Sequence, residues 1–153
     1  ASSAWKPHKN SEETKKMVID LIDKYRRGLQ AHWLVCLKKT GEILGFGGFN
    51  AFIAADNRDT IGWTLDSSFW GKGYGTELAK ACIEYGMKVR KLNRIDAIVR
   101  VDNIASRKVL EKAGMNLSAC FRQYWRIKGE LMSHYQFVIL QKDIATQLQQ
   151  SKV

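Results

Sequence analysis

Between Asn10 and Leu29 the apolar positions Val18, Leu21, Ile22, Tyr25 and Leu29 recur at helical spacing. Asn10 followed by Glu13 has the spacing of a capping box, so the pattern predicts an amphipathic helix that ends near Gly28. From His32 the rhythm changes. Trp33-Leu34-Val35-Cys36-Leu37 is a short apolar run suited to a strand, and Lys38-Lys39-Thr40-Gly41-Glu42 turns it back into a second strand, Ile43 to Phe49. The glycines of that strand mark a bend or a close backbone approach. Asp56-Asn57-Arg58-Asp59 makes the next turn, after which Ile61, Trp63 and Leu65 share one face. The pattern is that of three antiparallel strands in a meander.

A second helix follows, with Leu78, Cys82, Tyr85, Val89 and Leu92 as its apolar stripe. Arg94 to Val101 reads as a strand, and a strand regained through a helix implies a parallel β-α-β crossover. Asp102 and Asn103 cap a short helix carrying Val109, Leu110 and Ala113, which Gly114 stops. Ser118 to Ile127 and Leu131 to Leu140 flank the Lys128-Gly129-Glu130 turn as a hairpin. The fold class expected is α+β, with a single mixed, mostly antiparallel sheet flanked by helices. One domain spans residues 10–142, preceded by a linker, residues 1–9, and followed by a tail, residues 143–153.

Composition narrows the function classes. The net charge is +10, from 25 Lys and Arg against 15 Asp and Glu. That balance favours anionic ligands or acidic surfaces as partners. The basic residues are spread in short pairs such as Lys15-Lys16 and Arg107-Lys108, without a nucleic-acid-binding signature, which argues against direct nucleic-acid binding. Cys36, Cys82 and Cys120 lack C-x-x-C spacing and read as buried thiols. His8, His32 and His134 are equally scattered, so no metal site is expected. No apolar run approaches the ~20 residues of a membrane span and the N-terminus has no signal pattern, so a cytoplasmic protein is expected.

The stretch Trp70-Gly71-Lys72-Gly73-Tyr74-Gly75-Thr76-Glu77 carries the chemistry. Its glycines permit positive φ and close backbone approach, and the helix behind it presents free N–H groups and the positive end of a dipole. Such a place suits phosphate. It is not a P-loop, because G-x-x-x-x-G-K-[ST] is absent. Nor is it the dinucleotide fingerprint G-x-G-x-x-G, because Thr76 stands where the last glycine belongs.

The run Phe69 to Glu77, then Leu92-Asn93-Arg94-Ile95-Asp96-Ala97, then Asn103-Ile104-Ala105-Ser106-Arg107-Lys108-Val109-Leu110-Glu111-Lys112-Ala113-Gly114-Met115 together resemble the GNAT N-acetyltransferases. Within them the closest likeness is to the Rim-type branch, which acetylates ribosomal-protein N-termini. The resemblance implies an acetyl-CoA site between two splayed strands and needs no metal. Backbone N–H groups from Gly71 through Lys72, Gly73 and Tyr74 to Gly75 are implied to hold the pyrophosphate. Thr76 is implied to add a hydroxyl and Lys72 a phosphate contact. Trp70 fills a position where the wider family has Gln or Arg.

The same resemblance implies that Leu65 and its strand pair with the pantetheine arm through backbone groups. It further implies that Asn103 contacts pantetheine and that Ser106 donates a proton to the departing thiolate. The general base stays open among Asp66, His134, Tyr135 and a water. The acceptor expected is a protein N-terminal α-amine. A polyamine or aminoglycoside acceptor, or a CoA-binding module without turnover, is the alternative. Family members open with a strand and a helix that this chain is expected to lack. Without them the Trp33–Leu37 strand is expected to be an edge strand, open to pairing with a second copy.

Overall fold

The computed structural model describes residues 10–27 and 31–143. The linker over residues 1–9, Gly28, Leu29 and the tail beyond Asp143 lie outside the described residues. Helix α1 (Ser11–Arg26) starts where the capping pattern puts it, with the Glu13 N–H donating to Asn10 Oδ1 at 3.0 Å. There follow β1 (Ala31–Cys36), β2 (Ile43–Phe49), β3 (Arg58–Leu65), α2 (Tyr74–Lys88), β4 (Arg94–Arg100), α3 (Ile104–Lys112), β5 (Asn116–Ile127) and β6 (Glu130–Leu140). Together the strands form one sheet in the order β1-β2-β3-β4-β6-β5. Every neighbouring pair is antiparallel except β3–β4, which is parallel. That is the mixed sheet with one crossover that the pattern implies.

Both α2 and α3 cover one face of the sheet. Phe49, Ile61, Ile95, Ala97, Phe137 and Ile139 from the strands meet Cys82, Ile83, Met87 and Leu110 from the helices in one core. Gly86 sets the spacing. A Cβ there would lie 2.6 Å from Ile95 Cδ1 and 2.9 Å from Phe49 Cζ, so the helix can sit this close only without a side chain.

Three sequence expectations need correction. The buried side of α2 runs through Ala79, Cys82, Ile83, Gly86 and Met87. Val89 lies past the helix end and is 63% exposed, and Tyr85 is displaced to the rim, where it packs edge-on against Trp33 at 5.1 Å. On α1 the predicted stripe forms, but Val18, Ile22 and Tyr25 stay exposed, because α2 and α3 take up the core side of the sheet. Of the cysteines only Cys82 is buried; Cys36 and Cys120 sit on the two edge strands and are exposed.

An ionic clamp marks the place where β3 and β4 pair. Asp59 is enclosed and accepts from Arg90 Nη1 at 2.6 Å, from the Ala51 N–H at 2.9 Å and from the Thr60 N–H at 2.7 Å. The Arg90 guanidinium lies over the rings of Phe49 at 4.7 Å and Phe52 at 5.0 Å. On the other sheet face Asp96 gathers Arg94 at 2.7 Å, Gln136 at 2.9 Å and Arg58 at 3.4 Å.

Candidate active site

Strands β3 and β4 pair only over Arg58↔Arg94, Asp59↔Ile95 and Thr60↔Asp96. Beyond that short seam Ile61–Leu65 and Ala97–Arg100 have no mutual partner, so the sheet splits into a cleft. The register with β2 tells which backbone groups face it. Thr60 C=O accepts from Asn50, and Asp66 N–H donates to Leu44 C=O, both on the β2 side. Backbone direction alternates along a strand, so the N–H and C=O groups of Ile61, Trp63 and Leu65 point into the cleft. Ile61 N–H is used by the seam opposite Asp96 and Leu65 C=O accepts from the Trp70 indole, so the free edge consists of the Ile61 C=O, the Trp63 N–H and C=O and the Leu65 N–H, along which an extended ligand can pair.

The loop from Trp70 to Thr76 closes the end of this cleft. Gly71 and Gly73 have φ of +76° and +88°, a conformation that side chains resist, and the space beside both is open. No hydrogen bond among the described residues occupies the N–H groups of Gly71, Lys72, Gly73, Tyr74 or Gly75. The flanking ones are taken: Trp70 N–H donates to Ser67, and the Thr76 and Glu77 N–H groups to Gly73 C=O. Five consecutive free donors at the start of a fifteen-residue helix form an anion cradle that fits a pyrophosphate. Thr76 is left with only its hydroxyl to offer.

Trp70 ties the loop to the strand. Its indole N–H donates to Leu65 C=O at 2.9 Å, which fixes the cradle against the cleft end of β3. That role was not legible in a tryptophan standing in a Gly-rich run. Lys72 Nζ sits 5.5 Å from the Phe69 ring, and Phe69 meets Tyr74 edge-on at 6.4 Å. The lysine is exposed beside the cradle rather than buried in it.

Helix α3 begins at the cleft mouth, just past the end of β4. Asn103 Oδ1 caps it by accepting the Ser106 N–H at 3.1 Å. The Asn103 amide NH₂ and the Ser106 hydroxyl make no hydrogen bond among the described residues, so both remain available as donors. Arg107, next in line, stacks on Tyr135 at 4.8 Å with its Nε buried and unpaired.

The candidate bases separate in space. Asp66 caps the 3-10 turn Ser67–Phe69 by accepting from both the N–H and the hydroxyl of Ser68, bonds that hold its carboxyl below the usual range. Tyr135 shares the helix-covered face with Val99 and lies beneath Arg107. His134, one residue earlier, points to the opposite face beside Arg100. Among the described residues no group of three metal-ligating side chains occurs, and no helix is long and apolar enough to cross a membrane.

Residues 2–116 match the acetyltransferase (GNAT) domain family. The chain belongs to that family. It is an N-acetyltransferase, and its mixed, split sheet is the GNAT fold. It is 30% identical over 139 residues to the uncharacterised N-acetyltransferase p20 of Bacillus licheniformis, covering 91% of this chain and 78% of that protein. The solved structure of RimL, a ribosomal L7/L12 α-N-protein acetyltransferase in complex with coenzyme A, is 27% identical with a TM-score of 0.78, covering 86% of this chain and 73% of that one. The likeness to RimL agrees with the Rim-type branch that the motifs resemble. The spermidine/spermine N-acetyltransferase SpeG of Vibrio cholerae shares the fold at 14% identity and a TM-score of 0.80, covering 96% of this chain and 86% of that one.

Proposed function

We propose that this N-acetyltransferase acts on protein N-terminal α-amines, with acetyl-CoA as donor. The observation that carries the reading is the run of five free N–H groups placed directly beside an unpaired strand edge. Gly71, Lys72, Gly73, Tyr74 and Gly75 hold the pyrophosphate through their backbone, and the Thr76 hydroxyl and Lys72 add to the same anionic group. The Ile61–Leu65 edge pairs with the pantetheine amides, and the Leu65 N–H polarises the thioester carbonyl. Acetyl-CoA supplies an activated acyl group, so no nucleophilic residue of the chain has to carry the acetyl.

Asn103 uses its carbonyl to cap α3 and its NH₂ to hold pantetheine. Ser106, in the first turn of α3, donates its proton on the sulfur side, where the helix N-terminus favours developing negative charge. An α-amine with a pKa near ~8 needs far less base assistance than a lysine near ~10. The +10 charge suits acidic acceptor peptides and repels polyamines. Among the described strands β1 lies at the edge of the sheet, which fits pairing with a second copy.

The test offers acetyl-CoA with peptides bearing free or blocked N-termini, lysine-only peptides and spermidine, followed by mass spectrometry of the products. Acetylation confined to free N-termini is expected. Preferential acetylation of spermidine or of lysine side chains would overturn the acceptor assignment.

A further inference from the structure

The β5–β6 hairpin holds a histidine in an aromatic box beside the end of β4, the strand that lines the cleft, on the sheet face away from the helices. His134 pairs across to Arg100, the last residue of β4, and across to Phe121 on β5, so the three side chains share one face. Past Phe121 the ladder is irregular. Its next pair is Trp125↔Met132, so Arg122, Gln123 and Tyr124 together stand opposite Ser133 alone. Gln123 takes φ +50° and donates its N–H to Ser133 Oγ at 3.0 Å, which fixes the bulge.

The bulge brings the rings of Trp125 and Tyr124 edge-on to the imidazole, at 4.8 Å and 6.3 Å. His134 is thereby left 2% exposed. Its Nδ1 lies 3.0 Å from Met132 C=O, an acceptor only, so Nδ1 carries the proton and Nε2 the lone pair. Nε2 has no hydrogen-bond partner among the described residues. The ionisable groups around it are Arg100, its ion-pair partner Asp102, and the Tyr124 phenol.

We propose that His134 accepts, through a water at the cleft, the proton that the acceptor amine must lose before acetyl transfer. The inference rests on the acetyl-transfer reading. The acceptor enters as an ammonium. One proton passes through water to Nε2, and the imidazolium later releases it to solvent. The neutral nitrogen bonds to the acetyl carbon while the carbon–sulfur bond breaks. Ser106 gives its proton to the departing sulfur, and the second nitrogen proton replaces it on Ser106.

The geometry accounts for the state this role requires. Burial in the aromatic box, assisted by the Arg100 charge, lowers the imidazole pKa from its ordinary value, against the opposing pull of the Met132 carbonyl and Asp102. The ring is neutral and ready to accept at neutral pH. Asp102 offsets much of the Arg100 charge and so lets the imidazolium form transiently.

Two measurements on the full chain decide the matter: an NMR titration of the imidazoles, with His134 assigned by its loss in His134→Gln, and the pH profile of kcat/KM. The inflection on the acid limb is expected to coincide with the NMR midpoint of His134. His134→Gln should abolish that inflection and lower kcat/KM about 10²-fold. Trp125→Leu, which removes part of the box and so reduces the burial of the ring, should raise the NMR midpoint and the kinetic inflection together. Full kcat/KM in His134→Gln overturns the proposal, as does an inflection that stays in place while the NMR midpoint moves in Trp125→Leu. A wild-type protein that binds CoA but acetylates no amine would end the acetyl-transfer reading as well, whereas turnover unaffected by His134→Gln ends only the proposal.

Discussion

Asp59→Asn removes one charge at the seam of the cleft and almost nothing else. The amide keeps an oxygen for the Ala51 and Thr60 N–H groups, so only the partner of Arg90 changes character. The Asp59 side chain is fully enclosed and that of Arg90 is 14% exposed, so water replaces the lost carboxylate poorly. At an effective dielectric of about 20 two unit charges at about 4 Å interact by roughly 4 kcal/mol. Removing one partner of a buried pair costs about 3–5 kcal/mol. For a chain of 153 residues that corresponds to a fall in Tm of roughly 9–16 °C. Urea unfolding followed by tryptophan fluorescence measures it directly. The double variant Asp59→Asn with Arg90→Met should recover much of the loss, because no charge is left stranded. A loss below about 1 kcal/mol for Asp59→Asn, or no recovery in the double variant, would show that the pair is screened by water and does not clamp the seam.

Ser106→Ala should lower kcat with little change in CoA affinity, and an unchanged kcat would remove the hydroxyl from proton transfer. Gly73→Val places a β-branched residue at φ +88°, where it is strained by about 1–3 kcal/mol, so the loop should rearrange and CoA binding measured by calorimetry should weaken at least tenfold. At pH 8 a thiol reagent should label Cys36 and Cys120 quickly and Cys82 only after denaturation. Burial pushes the Cys82 thiol from 9.0 up to about 11, so its contribution to stability is complete below pH 9 and is lost as pH rises through 11. The loss reached by pH 11 is roughly 2 kcal/mol, and it should vanish from the difference in urea midpoints between pH 8 and pH 11 in Cys82→Val.

What the sequence disclosed is what local physics controls. Ile61, Trp63 and Leu65 alternate because a strand exposes alternate faces, and Gly71 and Gly73 stand where positive φ is required. The buried side of α2 was misjudged because two of its five members are Ala79 and Gly86, which an apolar count passes over in favour of Tyr85 and Val89. Asp59 and Arg90 are 31 positions apart and meet only because α2 returns over β3, so no spacing announces them. The β5 bulge turns on Gln123 rather than on a glycine, and no residue type marks its left-handed backbone in advance. His134 was therefore visible as one candidate among several, but its aromatic enclosure was not.

The three-pair seam between β3 and β4 makes the protein two half-sheets, β1–β3 and β4–β6, joined at one end. A ligand that pairs along Ile61–Leu65 acts as a missing rung between them, so it stiffens the molecule as well as occupying it. Amide hydrogens of Trp63 and Leu65, which face the gap, then gain protection that no described residue of the chain provides. At a hundredfold excess over its Kd the ligand adds about 2.7 kcal/mol to folding. If the acetyl donor is that ligand, as proposed, its concentration sets how much of this added stability the folded enzyme has.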